Sequence, residues 1–225
     1  MTAAASTSTR AAAPGAAPLP ALGAILAGGA SRRFGAVKAL ATVGGVPIVM
    51  RARAAVAAAV THPVVITQLA EIARVTGLSF RPDVTRVGGP LAGVDTALRW
   101  ATELGLPGAL CVACDLPFLP AGLLREIVAE GLENEALAVV PESDAAIGFE
   151  PLCAWYSTRA LAQVQRALER EERRVTSLLE EVGAARISLA RVAEHGDPAV
   201  VFLNVNTPDG HREAERIAAR GGSTA

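Results

Sequence analysis

The hydrophobic positions of this chain fall into short continuous runs, separated by longer stretches in which apolar and charged residues recur at helical spacing. The short runs are Leu22 to Leu26, Val64 to Thr67, Leu110 to Cys114, Leu137 to Val140, Leu152 to Tyr156 and Val200 to Leu203, and each reads as a strand. Val46 to Val60, Leu91 to Leu104, Ala121 to Glu130, Thr158 to Glu172 and Thr207 to Arg220 read as helices, with Pro47 tolerated in a first turn. Strand and helix alternate, which is the pattern of βα units and predicts an α/β domain around a mainly parallel sheet. No internal repeat is apparent.

Composition narrows this picture. With 225 residues, 51% of them hydrophobic and 19% charged, the chain can bury a substantial core. Its 21 Lys+Arg against 22 Asp+Glu leave a net charge of −1, and no basic block stands out, so nothing marks a nucleic-acid or anionic-membrane partner. The longest uncharged stretch, Ala11 to Ser31, is broken by Pro14, Pro18, Pro20 and several glycines and is no transmembrane helix. Residues 1–20, rich in Ala, Ser, Thr and Pro, predict a disordered tail, with a removable targeting segment as the alternative. One domain is expected over 21–220, followed by a flexible end at 221–225. Three cysteines cannot build a disulfide framework, so a reducing compartment, the cytoplasm, is the expected location. Cys111 and Cys114 have C-x-x-C spacing, but on a strand that spacing sends the thiols to opposite faces. Core cysteines fit better than a metal site. The run Glu169 to Arg174 is expected on a solvent-facing helix surface.

Two segments carry chemistry. The first, Leu26 to Leu40 (LAGGASRRFGAVKAL), follows the first strand. Gly28, Gly29 and Gly35 allow backbone N–H groups to approach an anion, and Arg32, Arg33 and Lys38 supply charge. It matches neither the Walker spacing nor the dinucleotide fingerprint, and the plain alternative is a glycine-rich turn with solvated arginines. The second, Ala113 to Pro120 (ACDLPFLP), puts Asp115 at the carboxyl end of a strand that Pro117 and Pro120 prevent from continuing. Ligands bind at that edge of open α/β sheets, so Asp115 is placed to hold Mg²⁺ against triphosphate oxygens; the alternative is a turn or N-cap aspartate.

In order, LAGGASRRFG at 26–35, Lys38, GGPLAG at 88–93, CDLPFLP at 114–120, EERRV at 171–175 and LNVNTPD at 203–209 resemble the molybdenum cofactor guanylyltransferase family, the MobA-like nucleotidyltransferases. The resemblance runs from about Leu22 to Arg216. It implies a single-domain, Rossmann-like, three-layer α/β/α nucleotidyltransferase fold. It further implies an enzyme that transfers GMP from Mg·GTP to the phosphate of molybdopterin, with or without molybdenum, releasing pyrophosphate. Carried over by position, Leu26, Ala27, Gly28 and Gly29 line the nucleotide, Lys38 reaches its phosphates with Arg33 beside it, and Asp83 helps bind GTP. Asp115 binds both GTP and Mg²⁺. Thr67 and Gly93 belong to the same pocket, Asn204 and Asn206 to the pterin side, and Arg173 and Arg174 match arginines that meet the pterin phosphate. A molybdopterin-delivering protein and a recipient molybdoenzyme are the candidate protein partners.

Two positions depart from the family pattern. Val37 stands where an aspartate commonly precedes the lysine, which bears on catalytic rate, and Thr67 stands where an asparagine is common, which removes an amide face from nucleotide recognition. The rival readings are a cytidylyltransferase or a nucleotidyltransferase with another acceptor, and a nucleotide-binding protein whose catalysis is weakened.

Overall fold

The computed structural model describes residues 17–28, 38–83 and 88–221. Seven strands form one sheet: β1 (Leu19–Leu26), β4 (Val60–Ile66), β5 (Phe80–Arg81), β6 (Gly108–Ala113), β7 (Ala138–Pro141), β8 (Cys153–Ser157) and β9 (Ala185–Ile187), in the order β5-β4-β1-β6-β8-β7-β9. β8 runs antiparallel to both neighbours, and every other pairing in this sheet is parallel. A separate hairpin pairs β2 (Thr42–Val43) with β3 (Val46–Pro47).

The strands are apolar on both faces because each face is covered. Ala21 and Ile25 of β1, Leu110 and Val112 of β6, and Cys153 and Trp155 of β8 pack on one side. There they meet α1 (Ile48–Ala59), α2 (Ala70–Thr76) and α4 (Ala121–Glu133) through Val56, Ile72 and Ile127. The alternate residues, Leu22, Ala24, Cys111 and Tyr156, face α3 (Pro90–Glu103), α5 (Leu161–Glu169) and α6 (Val175–Glu181). This is the expected three-layer, mainly parallel α/β/α architecture. Cys111 and Cys153 lie in opposite core layers, as free thiols. A smaller third core of Val43, Ile48, Phe118, Val205 and Ala214 joins the hairpin to α9 (Pro208–Ala219).

Gly131 of α4 lets that helix approach β8 closely. A Cβ there would lie 2.2 Å from Trp155 Cδ1, and Trp155 is fully buried. Gly131→Ala should therefore cost about 1–3 kcal/mol by overpacking, read as a lowered midpoint in urea with an unchanged slope.

Several expectations are corrected. Val200 to Leu203 is not a strand but the end of a helical turn, α8 (Pro198–Val201), which follows α7 (Leu189–Ala193). Asp197 caps α8, its carboxylate accepting from Ala199 N at 3.0 Å, and Pro198 pre-sets the first turn; together these override the β-branched run. The run Glu169 to Arg174 is solvent-facing in the main but leaves the helix at once. α5 ends at Glu169, Glu171 adopts a φ of 59°, and the Glu172 carboxylate gathers the N–H groups of Arg173 and Arg174 at 2.8 Å each. Pro47 precedes α1 instead of sitting in its first turn. Leu19 and Pro20, expected in the tail, belong to β1. Residues 1–16 and 222–225 lie outside the described residues, as do Gly29, Arg32, Arg33, Gly35 and Val37. Among the described residues no helix is long and apolar enough to cross a membrane.

Candidate active site

The register of the central strands determines where the site forms. Leu26 pairs with Ile66 of β4 and with Ala113 of β6, so three parallel strands end in one row and their following loops leave from the same edge. β8 enters the sheet at that edge, where Ala113 N donates to Leu152 O at 2.8 Å. The chain after Leu26 is held on both sides: Ala27 N donates to Ile66 O at 2.9 Å and Cys114 N to Leu26 O at 3.2 Å.

A cavity of about 490 Å³ opens over this edge. Of the residues expected at the site, Leu26, Ala27, Gly28, Lys38, Asp83, Gly93, Asp115 and Asn206 all line it. At its centre Lys38 Nζ donates to Asp115 Oδ2 at 2.6 Å and also to Asn206 Oδ1. Lys38 and Asp115 are mostly buried, with side chains 14% and 17% exposed. Lys38 opens a single 3-10 turn, Lys38–Leu40, and Val205 N donates to Asp115 O at 3.0 Å, so the backbone carrying Asn206 is fastened to the backbone of Asp115. Asp115 Oδ1 is buried and has no hydrogen-bond partner. An orphaned carboxylate oxygen beside an ammonium is unfavourable unless something else meets it, and a divalent cation or a ligand N–H is what it lacks.

Glycines shape the walls. A Cβ on Gly93 would stand 3.1 Å from Leu26 Cδ2, so the first turns of α3 press close to the end of β1. Gly28 lies against Asp83, whose carboxyl burial pushes above the usual carboxylate range. Gly89, at φ 84°, caps α3, but that helix start is already engaged, since Leu91 N donates to Arg173 O at 3.3 Å. Arg173 thus touches the rim through its backbone and Cβ, while Arg174 folds onto Glu172.

Like Arg173 and Arg174, two further expected site residues, Thr67 and Asn204, are not on the cavity wall. Thr67 is buried, its hydroxyl donating to Ala27 O at 3.1 Å and accepting from Leu69 N at 3.1 Å. Both contacts are backbone, so Thr67 fixes the loop instead of meeting a ligand. Its neighbour Gln68 lines the cavity and supplies the side-chain amide that Thr67 cannot. Asn204 is exposed and outside the cavity, its carbonyl packed where a Cβ on Gly210 would come within 2.8 Å.

Glu150 is not among the residues that line the cavity. It lies just before β8, half-buried, and burial together with the nearby Asp115 pushes its carboxyl up to about 7, against the Leu152 N–H that it accepts. Cys114 does face the cavity, but burial raises its thiol to about 12, which removes it as a nucleophile. The arrangement is suited to binding and neutralising a polyanion at the end of a parallel sheet. It holds no activated side-chain nucleophile among the described residues lining the cavity.

A carboxylate and a lysine at this edge define an α/β phosphoryl- or nucleotidyl-transfer class of site. Residues 23–187 match the family model of the MobA-like NTP transferase domain, and the chain belongs to that family and is a nucleotidyltransferase. It is 32% identical over 190 residues to a probable molybdenum cofactor guanylyltransferase of Pelotomaculum thermopropionicum, covering 84% of this chain and 89% of the relative. A probable molybdenum cofactor guanylyltransferase of Natronomonas pharaonis is 34% identical over 205 residues, with 87% and 98% covered. Among solved structures, molybdopterin-guanine dinucleotide biosynthesis protein A from Archaeoglobus fulgidus superposes with a TM-score of 0.75 at 24% identity, covering 88% of this chain and 99% of that one.

Proposed function

We propose that this chain is a molybdenum cofactor guanylyltransferase, transferring GMP from GTP to the phosphate of molybdopterin or its molybdenum-loaded form. In that reaction an oxygen of the acceptor phosphate forms a bond to the α-phosphorus of GTP, the bond from that phosphorus to the bridging β-oxygen breaks, and pyrophosphate leaves with the electron pair. The observation that carries the reading is the Lys38–Asp115 pair beneath a glycine-lined cavity, in a chain about a third identical to relatives of that name.

The residues present fit a divalent cation, because Asp115 has one oxygen on Lys38 and one buried oxygen with no partner. Asp115 would hold Mg²⁺, which supplies positive charge against the triphosphate oxygens when bound. Lys38 presents a second positive charge to the phosphates, oriented in advance by Asp115 and Asn206. The backbone of Leu26, Ala27 and Gly28 and the facing Gly93 line the nucleotide, and Asp83 and Gln68 offer hydrogen-bonding groups to it. By the family resemblance, Gly29 and Arg33 act on the same nucleotide. No covalent enzyme intermediate is required, since the acceptor brings its own nucleophilic oxygen. The reading calls for a protein that delivers molybdopterin and a molybdoenzyme that takes the product, in the cytoplasm.

The test is pyrophosphate release from the full chain with molybdopterin, comparing GTP, CTP and ATP, with Mg²⁺ present or chelated. Release with GTP that stops on chelation is expected. Preference for CTP would move the chain to cytidylyl transfer, and silence with a verified acceptor would make Val37 the mark of a binding protein.

A further inference from the structure

We propose that His211 and Glu215 are positioning residues for nucleotidyl transfer, clamping the β2–β3 hairpin to α9 so that the Lys38 ammonium stands ready for the phosphate charge that develops in the reaction. The proposal rests on the activity assigned above and adds two residues outside the cavity that set its cation.

Lys38 has little local structure of its own to hold it. It opens a single 3-10 turn, and only Ala39 to Ala41 separate it from β2. Ala41 N donates to Lys38 O at 3.1 Å and Ile48 N to Ala41 O at 2.9 Å, so the backbone of Lys38 is tied to the hairpin and to the start of α1. A two-stranded hairpin of this size does not hold itself in place in water. Its position is fixed by what grips it.

Helix α9 grips it twice, from residues four apart on one face. His211 Nε2 donates to Thr42 O at 2.7 Å, and Glu215 Oε2 accepts from Gly44 N at 3.1 Å. A carbonyl only accepts, so Nε2 carries the proton in the first contact. Thr42 is paired with Pro47, which has no N–H to give its carbonyl, and Gly44 lies in the turn at φ 59°, so both main-chain groups take their partner from outside the hairpin. The fit is close, since a Cβ on Gly44 would stand 2.9 Å from Ala218 Cβ. From the other side Arg51 donates to Val43 O through Nε at 3.0 Å and Nη2 at 2.8 Å. Its guanidinium lies over the ring of Phe118, on the loop that carries Asp115.

The chain that leads into α9 also holds the tip of Lys38. Asn206 stands just before the Thr207 cap of the helix and accepts from Lys38 Nζ, while Val205 N donates to Asp115 O at 3.0 Å. Lys38 is thus held by one stretch of chain at its root, through the hairpin, and at its ammonium, through Asn206. A charge oriented this way needs no reorganisation when the reaction occurs. His211 and Glu215 do not line the cavity, so their effect on the reaction passes through Lys38.

The test measures pyrophosphate release by the full chain with Mg²⁺, GTP and molybdopterin, after thermal melting has verified that each variant folds. His211→Ala and Glu215→Ala should each lower kcat by about tenfold and leave KM for GTP within about twofold, the result of a small misplacement of a group that acts in the transition state. His211→Gln keeps a donor at nearly the same reach and Glu215→Gln keeps an acceptor, so each should stay within about threefold of the parent. Combined with Lys38→Met, His211→Ala should cost nothing further, because the group it positions is gone. A loss of the same factor in both backgrounds is the mark of a merely structural contact and overturns the proposal, as does an unchanged kcat in His211→Ala. Should His211→Ala fail to fold, Glu215→Ala carries the same comparison. A second readout needs no turnover: acetylation of Lys38 by acetic anhydride, followed by peptide mass spectrometry, should be about threefold or more faster in His211→Ala than in the parent, the scale of one weakened hydrogen bond. If the parent releases no pyrophosphate with GTP and verified molybdopterin, the guanylyltransferase reading fails by itself. The acetylation rates still decide the clamp, and equal rates in parent and variant overturn it.

Discussion

Asp115→Asn should lower kcat for nucleotidyl transfer by about 10³ or more and leave thermal stability nearly unchanged. The substitution removes the one carboxylate at the centre of the cavity, which anchors Lys38 through Oδ2 and leaves Oδ1 buried without a partner. A neutral amide there cannot hold a divalent cation well and turns a charge-assisted contact with Lys38 into a weak one. The fold loses little, because burying an unpartnered oxygen is itself unfavourable and the neutral amide lowers that cost. The measurement is pyrophosphate release at saturating GTP, run beside GTP titrations with and without Mg²⁺. The parent should bind GTP more tightly with Mg²⁺, and the variant should show no difference. A variant within tenfold of the parent in kcat would remove Asp115 from the centre of the mechanism.

Lys38→Met should cost about 10²–10³ in kcat/KM, the size of effect seen when one preorganised donor to a developing charge is lost. Methionine keeps the length of the apolar stem, so the loss reports the ammonium and not the packing. In the resting site that ammonium is shared between Asp115 and Asn206, and an arriving triphosphate meets a positive charge already oriented. Lys38→Arg should recover less than tenfold of the loss, because the planar guanidinium does not fit a gap built around a compact ammonium. A fully active Lys38→Arg would mean that only net charge matters at this position. Both variants are to be compared in stopped-time assays over a range of GTP concentrations, which separates binding from turnover.

The parts of this design that were legible in the sequence are those dictated locally. Asp115 stood out because an apolar run ends on it and two prolines forbid continuation, and the glycines after Leu26 stood out for the same kind of reason. Long-range contacts were not legible. Asn206 meets Lys38 across a sequence separation of 168, and nothing in the composition of either segment announces that the second completes the first. Thr67 and Gln68 illustrate a different limit. The family resemblance points to Thr67, but its hydroxyl is spent on the Ala27 carbonyl and it is Gln68 that lines the cavity. The strand expected at Val200 failed where a capping aspartate and a proline outcompeted β propensity.

The fastening of Lys38 to Asn206 has a consequence for synthesis. All seven strands of the sheet are encoded by Ile187, so the scaffold is complete when the ribosome has yet to deliver Asn206 and α9. Until they emerge, the hairpin lacks the helix that packs on it, and the ammonium of Lys38 lacks its second partner. A stretch made after the sheet is therefore the one that completes the contacts of Lys38, and a chain halted after β9 holds every strand of the sheet without Asn206.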